Sequence, residues 1–344
     1  MALVDIVGRE SDAVFQLAPE RGHGEEGQIE FEARLKALAV SSGAPIVFGM
    51  FASTMVQPST DLLDQTFAEG GEMYALTHSR GIVSAHSFQT RLGFDRVAEW
   101  REVRDRPLAE QAVLLRDPDV RARLVHAAHH GDYGATTGPE AGKPIFESML
   151  VLSHPYLPNP TVAEEAARRG VDPVEAMIDI ALERDFEAFF LQRLMTPRAD
   201  EALVEQLRHP HTAMCFSDSG AHVSQVFDSS IYTHLLAYWV RERQALSLEE
   251  AVQMMTSKPA AIFRLHDRGR LAPGYAADIT IFDPDTVGPR KPHVVQDIPG
   301  NAKRLEQKAD GFAATIVNGE VLIRDGEPTE ARPGKLLRSS TLSR

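Results

Sequence analysis

Two periodicities alternate along the first part of this chain, and that alternation limits its fold more than any other feature. Short apolar runs, Ala13–Ala18 (AVFQLA) and Pro45–Met50 (PIVFGM), are separated by a longer amphipathic segment. In that segment Ile29, Leu35, Leu38 and Ala39 mark one helical face, and Gly43 supplies a stop. Residues 61–81 (DLLDQTFAEGGEMYALTHSRG) read as a second helix ending at Gly81, and Ile82–Phe88 (IVSAHSF) as a third strand. A strand that is apolar on both sides needs helices on both faces, so this order predicts βα units and a parallel sheet. A fourth strand is expected at Ala213–Phe216.

Between these regions the pattern loosens. Residues of about 95–205 read as an inserted stretch of short helices, including LRDPDVRARLVHAAHH with Asp117 near its start. SMLVLSHP is an extra strand there, GDYGATTGPEAGKP a turn-rich loop, and NPTVAEEAARRGVDPVEAMIDIALERDFEAFFLQRL two helices broken at Asp172. After the fourth strand, SSIYTHLLAYWVRERQ forms an amphipathic helix, and Ser247 with Glu250 makes a capping box for the next one. The texture then turns to strands, with Asn318-Gly319 placed for a type I′ hairpin turn. Residues 1–265 and 266–344 are therefore expected to form two parts, an α/β part and a small β domain with a tail.

At 344 residues the chain can bury a substantial core without staples, and its one cysteine, Cys215, excludes an intrachain disulfide and a Cys-rich zinc knuckle. A reducing, cytoplasmic setting fits. A formal net charge of −13 with no basic stripe argues against nucleic acid or an anionic membrane surface as partner. The opening MALVDIVGRESDAVF, with its acids and no long apolar stretch, does not read as a secretory signal, and no apolar run approaches membrane length.

The chemistry is expected where the fourth strand ends. TAMCFSDSGAHV carries an apolar run straight into Asp218, Gly220 and His222, and strand ends in α/β proteins are where ionisable side chains meet substrates. Asp218 is the candidate catalytic acid or base, its bland alternative being a helix cap or turn residue. Gly220 allows close backbone approach or a positive φ, and His222 can orient the acid or share its proton. His86, at the end of the third expected strand, can contact substrate or metal, or else is a packed polar residue on the barrel rim. His209 and His211 read as a surface turn at the strand's opposite end. Glu20, His23, Glu25 and Glu26 form an acidic loop after the first strand, read as a solvated loop rather than a cation site. Neither a G-x-S-x-G elbow nor a phosphate- or dinucleotide-binding glycine motif occurs.

FSDSGAHV, LSLEEAVQMMTSKPAAIF, DRGRLAPGYAADITIFDPD and ATIVNGEVLIRDGEPTEARPGKLLR, in that order, resemble the second half of an amidohydrolase-superfamily enzyme; RDPDVRARL resembles it too. Within that superfamily the resemblance is to N-acyl-D-amino-acid deacylases, the D-aminoacylase family. It implies the C-terminal part of a metal-dependent (β/α)8 barrel over residues 1–265, with an insertion at about 95–205 and a small β domain from 266. It implies hydrolysis of amide C–N bonds in a small N-acyl amino acid or related amide. Asp218 would then be both metal ligand and general base, with His222, Gly220 and His86 contacting substrate or supporting the site from behind. Zinc or another divalent metal is implied for a full-length enzyme. The family's metal-binding H-x-H after the first barrel strand has no counterpart in this chain, and about four βα units are counted. That departure keeps open a chain that holds no metal, as a truncated remnant would be. A cyclic-amide or imide amidohydrolase is the other alternative, and self-association into a homo-oligomer is a further expectation, because an open half-barrel leaves strand edges uncovered.

Overall fold

Four parallel strands form the central sheet of this protein, described by a computed structural model over residues 2–10, 13–18, 24–51, 58–135, 141–193, 200–226 and 228–337. In chain order the first seven strands are β1 (Phe15–Gln16), β2 (Ile46–Gly49), β3 (Met73–Thr77), β4 (Val83–His86), β5 (Met149–Val151), β6 (Phe190–Arg193) and β7 (Thr212–Met214). The parallel sheet has the order β1-β2-β3-β7, with Phe48 level with Ala75 and Thr77 level with Met214. Ile46, Val47 and Phe48 are fully buried, as a strand covered on both faces must be. One face packs on the helices Ala2–Glu10 and Gly24–Ser42 through Val4, Phe31, Leu35 and Ala39. On the other, Val47, Leu76 and Ala213 meet Ile262.

The expected helix face is therefore present, with one exception. Ile29 points to solvent and Phe31 takes the buried place instead.

The third parallel strand is not the one expected. The helix that begins at Thr60 ends at Ala68, where Gly70 at φ +84° can leave the helix without steric cost, and the chain enters β3 from Met73. Met73, Ala75 and Leu76 have no strong strand preference, so it is pairing with β2 that decides their conformation. The segment IVSAHSF supplies β4, but β4 lies in a separate antiparallel sheet of order β4-β6-β5. The short link 78–82 cannot hold the crossover that a further parallel strand would require.

β5 corresponds to the extra strand expected in SMLVLSHP. The helices Val162–Arg169 and Pro173–Glu183 follow, with Asp172 capping the second through its bond from the Val174 amide. The end of that same segment is strand, not helix: Phe190–Arg193 pairs with both neighbours as β6. Helices Ala98–Arg104, Pro118–His130 and Pro173–Glu183 bury Trp100, Leu124 and Met177 against Phe190 in the largest core cluster. After β7, the expected amphipathic helix is α-helical only at Ile231–His234 and winds as a π-helix over Leu235–Glu242.

Beyond residue 266 the chain forms an antiparallel sheet from Ile279–Phe282, Phe312–Val317, Glu320–Arg324 and Glu327–Pro328. Its central hairpin turns at Asn318 (φ +47°) and Gly319 (φ +83°), the two positive φ values that a type I′ turn demands. Glu20 and His23 of the acidic loop, and residues 136–140 of the turn-rich segment, lie outside the described residues. Among the described residues no helix is long and apolar enough to cross a membrane.

Candidate functional site

The sheet continues past β7 when the Phe216 amide donates to the Thr77 carbonyl, 3.1 Å away. The Phe216 ring lies over Gly49 at the end of β2, so closely that a Cβ there would come within 2.6 Å of it. These two contacts deliver Asp218 to the C-terminal ends of the parallel strands, with its side chain exposed. The loop then reverses. The Asp218 carbonyl accepts from the Ala221 amide (2.9 Å), Gly220 sits at φ +98° and His222 at φ +44°, and the His222 carbonyl accepts from the amides of Gln225 and Val226. Gly220 thus takes the left-handed conformation that glycine adopts freely, while His222 is exposed beside it. At its far end the loop is tied down by bonds from the Ala85 amide to the Gln225 carbonyl and from the Leu305 amide to the Val223 carbonyl, each 2.7 Å.

Beneath that loop lies a buried polar cluster to which no sequence motif points. His78, Ser79 and Arg80 follow β3, and Asp228 and His234 come from the segment after the loop. Asp228 is fully buried. Its Oδ1 lies 3.4 Å from His78 Nε2, and its Oδ2 accepts from the Asp218 amide at 3.3 Å. His78 Nδ1 accepts from the Arg80 amide (3.2 Å), which fixes the neutral ring with its proton on Nε2, facing the carboxylate. Burial works against the charge on Asp228, but the His78 ring and the Arg80 guanidinium outweigh it and hold the carboxyl below its usual range. Burial also lowers His78, and it takes His234 well below the ordinary histidine value with help from the Arg80 charge. Arg80 itself is pushed down by burial to about 10 and stays cationic at neutral pH. The cluster is therefore an ionised carboxylate and a guanidinium with two neutral imidazoles.

Ser79 locks the second imidazole. Its hydroxyl donates to the Ile231 carbonyl (2.7 Å), so it accepts from His234 Nδ1 (3.2 Å), while the Ser79 carbonyl accepts from Trp239 Nε1 (2.6 Å). His78, Arg80 and His234 line one end of a cleft of about 260 Å³, whose walls include Leu150, Leu152, Leu191 and Tyr156. An apolar cleft with a few convergent polar groups is the ordinary form of a small-molecule site.

The other sequence candidates stand apart. His86 is buried in β4 at 1% exposure, level with Phe190, and is not among the residues lining the cleft. Burial alone lowers it to about 4, so it is a neutral packed residue at physiological pH. His209 and His211 lie before β7, at the end of the strand remote from Asp218, where their Nε2 atoms are 3.3 and 3.5 Å from Asp64 and the His211 ring stacks on Phe67. Cys215 is a free thiol that burial pushes up to about 11, which removes it as a nucleophile. Among the described residues no three His, Cys, Asp or Glu side chains converge where a metal ion would sit, so these residues do not make up a metal centre. The signal that would have exposed the buried cluster was the Gly70-Gly71 pair. Read as a helix stop, it puts His78 directly after a strand.

Ionisable groups thus lie past the C-terminal ends of the parallel strands of an α/β protein, His78, Arg80 and His234 at the apolar cleft and Asp218, Gly220 and His222 outside its lining. The sequence model of the Amidohydrolase family matches residues 79–323, and the chain belongs to that family. It is 36% identical over 210 residues to an N-acyl-D-glutamate deacylase of Alcaligenes xylosoxydans xylosoxydans, a match covering 58% of this chain and 38% of that protein. An N-acyl-D-aspartate deacylase of the same organism is 31% identical over 263 residues, covering 67% of this chain and 50% of its own. The chain thus spans half or less of the length of these relatives. A D-aminoacylase mutant solved in complex with copper chloride aligns with 96% of this chain and 57% of its own at a TM-score of 0.50 and 17% identity, a likeness of fold.

Proposed function

We propose that this protein acts in hydrolysis of non-peptide amide bonds, of the N-acyl-D-amino-acid deacylase kind, with Asp218 as the group that moves the proton. One observation carries the reading: in a chain of this family, an exposed carboxylate stands immediately beyond the last strand of the parallel sheet. The sheet β1-β2-β3-β7 is read as part of a (β/α)8 barrel spanning residues 1–265, with an insertion at about 95–205, and residues 266–344 as a small β domain.

In the reaction Asp218 takes a proton from a water molecule as the water oxygen bonds to the amide carbonyl carbon. The carboxylic acid then returns that proton to the leaving nitrogen as the C–N bond breaks, releasing a carboxylic acid and a free amino acid. Asp218 is suited to this because it reaches solvent and its side chain makes no hydrogen bond among the described residues, so both oxygens remain available. The described residues do not assemble a metal centre, and both proton transfers use the Asp218 carboxylate.

The test is release of free amino acid from N-acetyl-D-glutamate, N-acetyl-D-aspartate, their L-enantiomers, and a cyclic amide and imide, with the metal content of the purified chain measured in parallel. Release from the N-acyl-D-amino acids above the other substrates is expected. Opening of the cyclic substrates alone would move the protein to another branch of amide hydrolysis, and no turnover of any substrate by the folded chain would overturn the enzymatic reading.

A further inference from the structure

The geometry points to Asp228 as a positioning residue that latches the Asp218 loop to the end of β3. Two N–H donors from different parts of the chain converge on this one buried carboxylate. The Asp218 amide donates to Oδ2 at 3.3 Å, and the His78 Nε2–H faces Oδ1 at 3.4 Å. Among the described residues neither His78 Nε2 nor Asp228 Oδ1 has a hydrogen-bond partner, so their 3.4 Å approach is a close polar contact across which the ring N–H faces the carboxylate. The His78 tautomer is not free to change, since the Arg80 amide already occupies Nδ1. Two donors require an acceptor on both faces, which an ionised carboxylate is and a carboxamide is not. Asparagine would present its NH₂ group to one of the two donors, whichever way it turned.

The position of the latch gives it a consequence. The far side of the loop is held by β4 and by the strand Ala302–Glu306, through Ala85 and Leu305, and its near side, where Asp218 sits, is held by Phe216 and Asp228. A carboxylate that must meet a water and then a leaving nitrogen depends on sub-ångström placement. Fixing the backbone of Asp218 while leaving its side chain exposed meets that need. The effect on turnover rests on the proton-transfer role proposed for Asp218; the latch itself does not.

Residue-resolved amide hydrogen exchange of the intact protein tests the latch without any variant. The Asp218 amide is expected to exchange about tenfold or more slowly than the Gly220 amide of the same exposed loop, after correction for sequence effects on intrinsic rates. Equal rates would overturn the proposal. In Asp228→Asn and Asp228→Ala the protection at Asp218 is expected to be lost while that of β2 is retained, with kcat falling and KM holding within about twofold. Protection at Asp218 that survives both substitutions would overturn it. Loss of protection with unchanged turnover would support the latch and count against Asp218 as the proton-transfer group, so the two failures are distinguishable.

Discussion

His86 sits in β4 at 1% exposure, with Nδ1 lacking a hydrogen-bond partner among the described residues, and burial lowers it to about 4 from an ordinary 6.5. Between those two values the unfolded chain binds a proton at this site and the folded chain does not, so folding stability rises with pH through the window. The contribution is intact above 6.5 and is lost progressively as the pH falls toward 4, at about 1.4 kcal/mol per pH unit. His78 and His234 shift in the same direction for the same first cause, burial, and add to the slope. Denaturant unfolding at pH 7 and pH 5 should show a clearly less stable protein at pH 5. His86→Leu should flatten part of that difference, whereas an unchanged difference would show that His86 titrates normally. At this scale the place of Asp218 just past a parallel strand was legible, because an apolar run ending in an acid is visible in one short stretch. Asp228 and His78 were not, because they meet only after the chain has folded, and nothing in their spacing of 150 positions announces it.

Local chemistry made the helix ends legible. Ser247 Oγ accepts from the Glu250 amide (3.1 Å) and Glu250 Oε2 accepts from the Ser247 amide (2.8 Å), the reciprocal pair expected from the sequence. Asp117 and Asp172 cap their helices in the same local way. Ser247→Ala should cost about 1 kcal/mol in thermal or denaturant unfolding, with turnover unaffected, since Ser247 is not among the residues that line the cleft. A loss below a few tenths would mean that the Glu250 bond with Arg208 (2.9 Å) carries that helix end instead. What failed at this scale was long-range. β3 is built of residues that suit a helix as well as a strand, and only its place between β2 and β7 settles the matter. β6 was hidden in the same way, since Phe190 and Leu191 look equally at home on a helix face until β4 and β5 pair on both sides. The π-helical winding of Leu235–Glu242 has no signature in its sequence.

For the molecule as a whole, membership of the Amidohydrolase family and the parallel sheet with carboxylate-bearing ends agree with the order of motifs from Phe216 onward. The division of labour between sheets was less legible. An insertion was expected over the region that supplies β5 and β6, but its joining with β4 into one antiparallel sheet, which puts Leu150 and Leu191 on the cleft wall, depends on pairings between segments far apart in sequence. The proposed activity rests on one exposed carboxylate beyond β7 that moves the proton in amide hydrolysis. Asp218→Asn isolates that role, because the substitution keeps the size of the side chain and its backbone bond to Asp228 while removing the ability to accept a proton. A folded protein of unchanged stability is expected, with kcat on N-acetyl-D-glutamate reduced by about 10²–10⁴-fold. Turnover within about twofold of the unsubstituted protein would contradict the role of Asp218.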